Sequence, residues 1–175
     1  MTDKNIQNLV NLFRSGELER AKKETIKEIE KNPNNFFLHN LLGVVLAAQK
    51  KLDEASNSFK KSIKINPKYA EAYSNLGAAL FKLKRVDDSI KTLNQAIRIN
   101  PNFAEPYLRL GSIFYKKFNK TNESILCYQK AIEIKPDYEL AYEHLGNIFK
   151  EIGKIKDVIN SYERIIQINP NSEVA

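Results

Sequence analysis

The sequence predicts an all-α protein built from tandem helical hairpins, and three observations carry that prediction. Five prolines, Pro33, Pro67, Pro101, Pro136 and Pro170, recur at intervals of 34, 34, 35 and 34 residues. Four glycines, Gly43, Gly77, Gly111 and Gly146, keep the same beat. Between them apolar residues fall three and four apart, as in Ile90, Leu93 and Ile97 or Ile125, Tyr128 and Ile132. That is the spacing of a helix face and not the alternation of a strand. A fixed period of about 34 residues marks a helical repeat array, in which each repeat buries its apolar stripe against its neighbours instead of around one central core.

The repeats span residues 2–35, 36–69, 70–103, 104–138 and 139–172. The first is the least regular. Asn5, Asn8 and Leu9 stand where later repeats carry an aromatic, a leucine and a glycine, while Gly16, Ala21 and Pro33 keep phase. It reads as a cap with Asp3 and Lys4 facing water. The second to fifth repeats open with FFLHNLLG, AEAYSNLG, AEPYLRLG and ELAYEHLG, each the start of a helix of about 14 residues. A Lys- and Asp-rich joint leads into the second helices, LDEASNSFKKSIKINP, VDDSIKTLNQAIRINP, TNESILCYQKAIEIKP and IKDVINSYERIIQINP. The Asn-Pro or Lys-Pro at each end stops the helix, because the residue before proline is pushed out of helical geometry.

The glycines sit mid-helix, where glycine costs about 1 kcal/mol relative to alanine. Their recurrence predicts that the partner helix approaches too closely for a side chain, and Ala55, Ser89, Ala96, Ser124 and Ala131 supply matching small residues. The fourth repeat holds one extra residue within 117–124, expected to lengthen its inter-helix turn. Bulky Val158 and Ile165 are expected to splay the fifth hairpin. Glu173, Val174 and Ala175 resemble the opening of a sixth repeat, so the chain is expected to be a fragment of a longer protein. The final helix carries Ile155, Val158, Ile159, Tyr162, Ile165, Ile166 and Ile168, more apolar residues than one hairpin contact covers. This uncapped end is expected to self-associate.

Composition narrows the function classes. The net charge is +7, concentrated centrally, with +4 over residues 36–69 and +2 over each of the next two repeats. Much of it (Lys50, Lys51, Lys82, Lys84, Arg85, Lys116, Lys117) falls at expected helix ends, where cations complement the helix dipole. Glu71, Glu105 and Glu143 interrupt any continuous basic track, so an RNA-binding helical repeat is the weaker reading. Cys127 stands alone as a half-buried packing residue, which with the polar N-terminus points to a cytoplasmic protein. No stretch approaches the roughly 18 apolar residues of a membrane span. The two histidines, His39 and His144, lie far apart, His39 at a packing place. No phosphate-binding glycine loop, HExxH, GxSxG or paired-cysteine motif occurs. The sequence therefore offers no catalytic residue, cofactor site or metal site, and the chain is read as a non-enzyme.

The in-phase residues resemble the tetratricopeptide repeat over nearly the whole chain. An aromatic stands at the fourth place (Tyr73, Tyr107, Tyr142) and Leu-Gly at seven and eight. A small residue follows at twenty, an aromatic at twenty-four (Phe59, Tyr128, Tyr162) and proline at thirty-two. The resemblance implies a right-handed superhelical solenoid whose first helices line a concave groove, with places two, five, six, nine, twelve and thirteen facing it. Place six holds Gln7, Leu41, Asn75, Arg109 and His144, place nine Val10, Val44, Ala78, Ser112 and Asn147, and place twelve Phe13, Ala47, Phe81, Tyr115 and Lys150. Of the six places, Phe37, Asn40, Val44, Asn75, Phe81, Lys82, Arg109, Tyr115 and Lys116 are the candidate groove residues. The implied function is a scaffold for a protein or an extended peptide, whose alternating donors and acceptors suit amide and guanidinium groups. Arg109, Lys82 and Lys116 would favour acidic side chains or a free carboxylate. Against the carboxylate grip of chaperone-binding relatives the chain offers Asn40, Val44, Asn75, Glu105 and Arg109, with both lysines missing. Of the asparagine ladder found in O-linked N-acetylglucosamine transferases, Asn75 alone matches. A substrate-recruiting segment of a larger glycosyl- or sulfotransferase is the other alternative.

Overall fold

The computed structural model describes residues 3–172, with side chains from residue 5 onward. The expected outward side chains of Asp3 and Lys4, and the opening of a sixth repeat at Glu173, Val174 and Ala175, lie outside what the structure describes. The described residues form helices and no strands: α1 (Asp3–Arg14), α2 (Leu18–Lys31), α3 (Phe36–Ala48), α4 (Leu52–Ile65), α5 (Ala70–Lys82), α6 (Val86–Ile99), α7 (Ala104–Phe118), α8 (Thr121–Ile134), α9 (Glu139–Glu151) and α10 (Ile155–Ile168). Consecutive helices pair into hairpins, α1 with α2 through α9 with α10. The chain forms two compact bodies, Met1–Ile99 and Asn100–Ala175. In the first, α2 packs on α3 and α4 on α5; in the second, α8 packs on α9.

Each second helix stops where proline dictates. Asn32, Asn66, Lys135 and Asn169 follow the last helical residues with φ of −135°, −129°, −130° and −142°, extended values that the next pyrrolidine ring enforces. The starts of these helices lack side-chain caps on α2, α4, α8 and α10. Acids in the first turn, such as Asp53 and Glu54 of α4 or Asp87 and Asp88 of α6, complement the positive dipole end there. α3 differs: the Asn35 side chain accepts from the backbone N–H groups of Phe37 (3.0 Å) and Leu38 (3.3 Å), a regular N-cap.

Every hairpin turn passes through one left-handed residue: Gly16, Lys50, Lys84, Asn119 and Gly153, with φ of 79°, 63°, 63°, 51° and 75°. Glycine takes this conformation freely, whereas the two lysines hold it against the clash of their own Cβ. The fourth turn corrects an expectation. Its extra residue does not lengthen the connection but extends α7 to 15 residues, against 13 in α3, α5 and α9. Lys120 N–H reaches back six residues to Phe114 O at 3.0 Å, whereas Lys51 and Arg85 reach back five, to Leu46 and Leu80. A residue added to a helix keeps its backbone groups paired, and one added to a loop does not.

The hairpins close around the glycines. A Cβ on Gly43 would stand 2.5 Å from Phe59 Cε1, on Gly77 2.7 Å from Leu93 Cγ, and on Gly111 2.8 Å from Tyr128 Cε1. Close approach also lets the small residue opposite bond the glycine's carbonyl: Ser89 Oγ donates to Gly77 O at 2.7 Å and Ser124 Oγ to Gly111 O at 2.8 Å. The fifth hairpin is looser, with 3.1 Å from a Gly146 Cβ to Tyr162 Cε2. That hairpin holds the two bulkier residues, Ile165, fully buried where Ala96 and Ala131 stand in earlier repeats, and Val158, at the place of Ser89 and Ser124. In the first body Leu46, Ala55, Phe59, Leu76, Ala79 and Leu80 form the largest cluster; in the second, Leu108, Tyr128, Ala131, Ala141, Leu145 and Ile148 do so. His39 is a core residue, its Nε2 2.8 Å from Pro33 O. Tyr107 reaches the equivalent Pro101 carbonyl at 3.2 Å.

Candidate functional site

In the first body the expected groove residues divide into packing and polar groups. Phe37 and Val44 are half-buried against the clusters around Leu38 and Phe59. Asn40 is buried and accepts a 3.1 Å hydrogen bond from Asn75 Nδ2, which ties α3 to α5. Phe81 is half-buried and Lys82 is exposed, with no ion pair among the described residues. Beside them the Tyr69 hydroxyl donates to Glu71. Burial, and next the Glu71 carboxylate, push its pKa well above the ordinary tyrosine value.

In the second body Arg109 departs from expectation. Instead of offering a free guanidinium, it pairs through Nη2 with Glu105 of its own helix at 2.7 Å. The Tyr138 hydroxyl donates to the other Glu105 oxygen. The spacing of four residues on one helix face makes this pair, because such neighbours lie one above the other. Glu105 offsets the Arg109 charge that an acidic ligand would meet, while leaving the other N–H groups of the guanidinium unclaimed.

Tyr115 and Lys116 lie elsewhere on α7 and line a cup of about 560 Å³. Its other walls are Tyr128 of α8 and Glu143, His144, Asn147, Ile148, Lys150 and Glu151 of α9. Tyr115 donates its hydroxyl proton to Glu151, and this bond is the main cause raising its pKa to about 12. Tyr128 forms the floor, its hydroxyl 3.0 Å from Ser112 Oγ and its ring 5.1 Å from the His144 ring. Burial lowers the His144 pKa below its ordinary value, so the imidazole is neutral at pH 7. Tyr162 donates to Asn147 Oδ1 at 3.2 Å, which leaves the Asn147 NH₂ free to donate. Lys116 and Lys150 are exposed and make no ion pair within the described residues.

Apart from Tyr128 and Ile148, every lining residue stands at one of the six places the resemblance implies. Glu143 was named from the sequence only as a break in the basic track, and Glu151 was not singled out, although it occupies the thirteenth place, as Lys82 and Lys116 do. No group of three or more His, Cys, Asp or Glu side chains among the described residues could hold a metal ion. Cys127 is half-buried, and burial pushes its thiol up to about 11. No helix of the described residues is long and apolar enough to cross a membrane.

Comparison with known families settles the architecture. A TPR repeat model matches residues 45–84 and 119–153, and tetratricopeptide repeat models match residues 70–103 and 140–172. The chain belongs to the tetratricopeptide-repeat family. No curated protein matches it. Among solved structures this TPR chain is similar to MamA, with 26% identity and a TM-score of 0.72 over 91% of this chain and 93% of that one. It is also similar to pilF of Pseudomonas aeruginosa (18% identity, TM-score 0.84, 95% and 76% covered). A third is YrrB, a TPR protein with an unusual peptide-binding site (20% identity, TM-score 0.63, 99% and 89% covered). The fold is that of a protein-interaction scaffold in general terms.

Proposed function

We propose that this TPR chain binds an extended segment of a partner protein in the α7–α8–α9 cup of its second body. One observation carries the reading: the cup gathers unpaired donors and acceptors at the places a TPR ligand would meet. Asn147 NH₂, Lys116 and Lys150 offer donors to peptide carbonyls or to an acidic side chain, and Glu143 offers an acceptor to a peptide N–H. Tyr128 and His144 supply an apolar floor between them. An extended backbone presents both kinds of group in alternation, which such a mixed wall recognises. The partner's chemistry is therefore a peptide with an acidic residue or carboxylate beside neutral, backbone-exposing residues.

A random peptide library selected on the immobilised chain tests this. Peptides enriched for Asp, Glu or a free C-terminus are expected, and their affinity should fall about tenfold or more for Asn147→Ala with Lys150→Ala, since each hydrogen bond to a charged group contributes about 1.5–3 kcal/mol. Unchanged binding in that variant, with loss in Lys60→Glu and Lys91→Glu on the second helices, would place the site on the other face and overturn the reading.

A further inference from the structure

α10 carries an apolar stripe that the described residues leave open. Ile155, Ile159 and Ile166 are 65%, 52% and 49% exposed, and at 100° per residue they fall within about 40° of helix azimuth. The places of Ile159 and Ile166 are filled in α8 by Ile125 and Ile132, which pack within the cluster that contains Ala141, Leu145 and Ile148 of α9. In α4 the matching Ile63 packs within the cluster that contains Leu76, Ala79 and Leu80 of α5. The stripe is thus built like a helix-docking face. An isolated exposed isoleucine means little, but a contiguous stripe at these positions marks an interface.

A second copy of this chain could cover it in two ways. Head-to-tail stacking would set α1 of a second copy on α10. At the fourth, seventh and tenth places, where α9 carries Tyr142, Leu145 and Ile148, α1 carries Asn5, Asn8 and Asn11, all exposed. Three amides buried on an isoleucine stripe would lose their water without gaining partners. A self-complementary contact, α10 against α10, has no such conflict. Its flank also carries a matched pair of charges. Lys156 and Glu163 stand on the same side of the stripe, about 60–80° from its centre, seven residues apart, and neither makes an ion pair among the described residues. In an antiparallel two-fold pair centred near residue 160, Ile155 lies beside Ile166 of the partner subunit and Ile159 near the axis. Lys156 then faces Glu163 of the partner subunit, and the symmetry repeats the pair.

We propose that two copies of this chain form an antiparallel dimer through α10, held by Ile155, Ile159 and Ile166 and put in register by reciprocal Lys156–Glu163 pairs. None of the cup's lining residues belongs to α10; α10 touches the cup through Tyr162, which orients Asn147 and is not among the residues of the proposed dimer contact.

Sedimentation equilibrium on the 175-residue chain at up to about 100 μM tests the proposal, alongside the variants Ile159→Asp, Lys156→Glu, Glu163→Lys and the double charge swap. The parent should dimerise. Ile159→Asp should be monomeric throughout, with unchanged helicity because the side chain is exposed. Each single charge reversal should weaken the dimer about tenfold, since two-fold symmetry counts each repulsion twice, and the double swap should restore it. A monomeric parent would overturn the proposal, and the stripe would then belong to a different partner. So would a parent dimer indifferent to Ile159→Asp. Singles that weaken the dimer without rescue by the swap would overturn the antiparallel register.

Discussion

Gly43→Ala puts the close-packing account at risk most sharply, because intrinsic propensity predicts the opposite result. Alanine in the middle of α3 would gain about 1 kcal/mol over glycine from backbone entropy alone. Against this, the new methyl would lie 2.5 Å from Phe59 Cε1 and 2.6 Å from Cδ1. Phe59 is 1% exposed and wedged among Leu46, Ala55, Leu76, Ala79 and Leu80, so its ring cannot swing into solvent. Overpacking of this kind costs about 1–3 kcal/mol, which leaves a net loss of about 1 kcal/mol. Gly146→Ala is the internal control. Its methyl would meet Tyr162 at 3.1 Å, a half-buried ring at the edge of the looser hairpin, so propensity should win and the variant should gain up to about 1 kcal/mol. Urea unfolding followed by circular dichroism at 222 nm compares the two on one scale. Phe59→Leu in the Gly43→Ala background should recover part of the loss by shortening the obstructing side chain. If Gly43→Ala matched or exceeded the parent, or if the two variants moved together, close helix approach would not be what keeps glycine at these positions.

Lys84→Gly should stabilise by about 0.5–1 kcal/mol, because a left-handed residue costs an L-amino acid about 1–2 kcal/mol and glycine somewhat less; a lower thermal midpoint would contradict the strain at φ 63°. Asn75→Ala should destabilise by about 1–3 kcal/mol, since it leaves the buried Asn40 carbonyl oxygen without its donor, and a neutral melt would show that the pair is idle. The His144 pKa is lowered by burial, so the folded protein favours the neutral ring. Its contribution is complete above the unfolded value near 6.5 and declines as pH falls through the folded value. Melts from pH 7.5 to 5 should lose stability more steeply for the parent than for His144→Gln, and identical slopes would remove His144 from the account. Cys127, with its thiol at about 11, should alkylate slowly at pH 8 until denaturant is added; rapid labelling of the native chain would show it exposed.

The period made the architecture readable, because proline, glycine and the small residues act locally: each fixes a helix end or a crossing without reference to distant sequence. The fourth repeat shows the limit. An extra residue was visible by counting, but whether it entered the loop or the helix depended on where the backbone could keep its hydrogen bonds, and α7 took it. The candidate site divides the same way. The Glu105–Arg109 pair was available from a four-residue spacing and turns a presumed ligand-binding cation into an internal one. The Tyr115–Glu151 bond links residues 36 apart, and only the repeat register places them on facing helices. Charge on a repeat surface is legible in sequence, and so is a claim on it from four residues away on the same helix; a claim from a facing helix is not.

The central claim, that this TPR chain captures an extended peptide in the α7–α8–α9 cup, is tested most directly by mapping a library-selected acidic peptide onto the ¹⁵N-labelled protein by NMR titration. The account predicts saturable shift changes concentrated at Tyr115, Lys116, His144, Asn147 and Lys150, accompanied by the freed Asn147 side-chain amide. Shifts confined to the second helices around Lys60, Thr92 and Gln95, with the α9 signals unmoved, would contradict it.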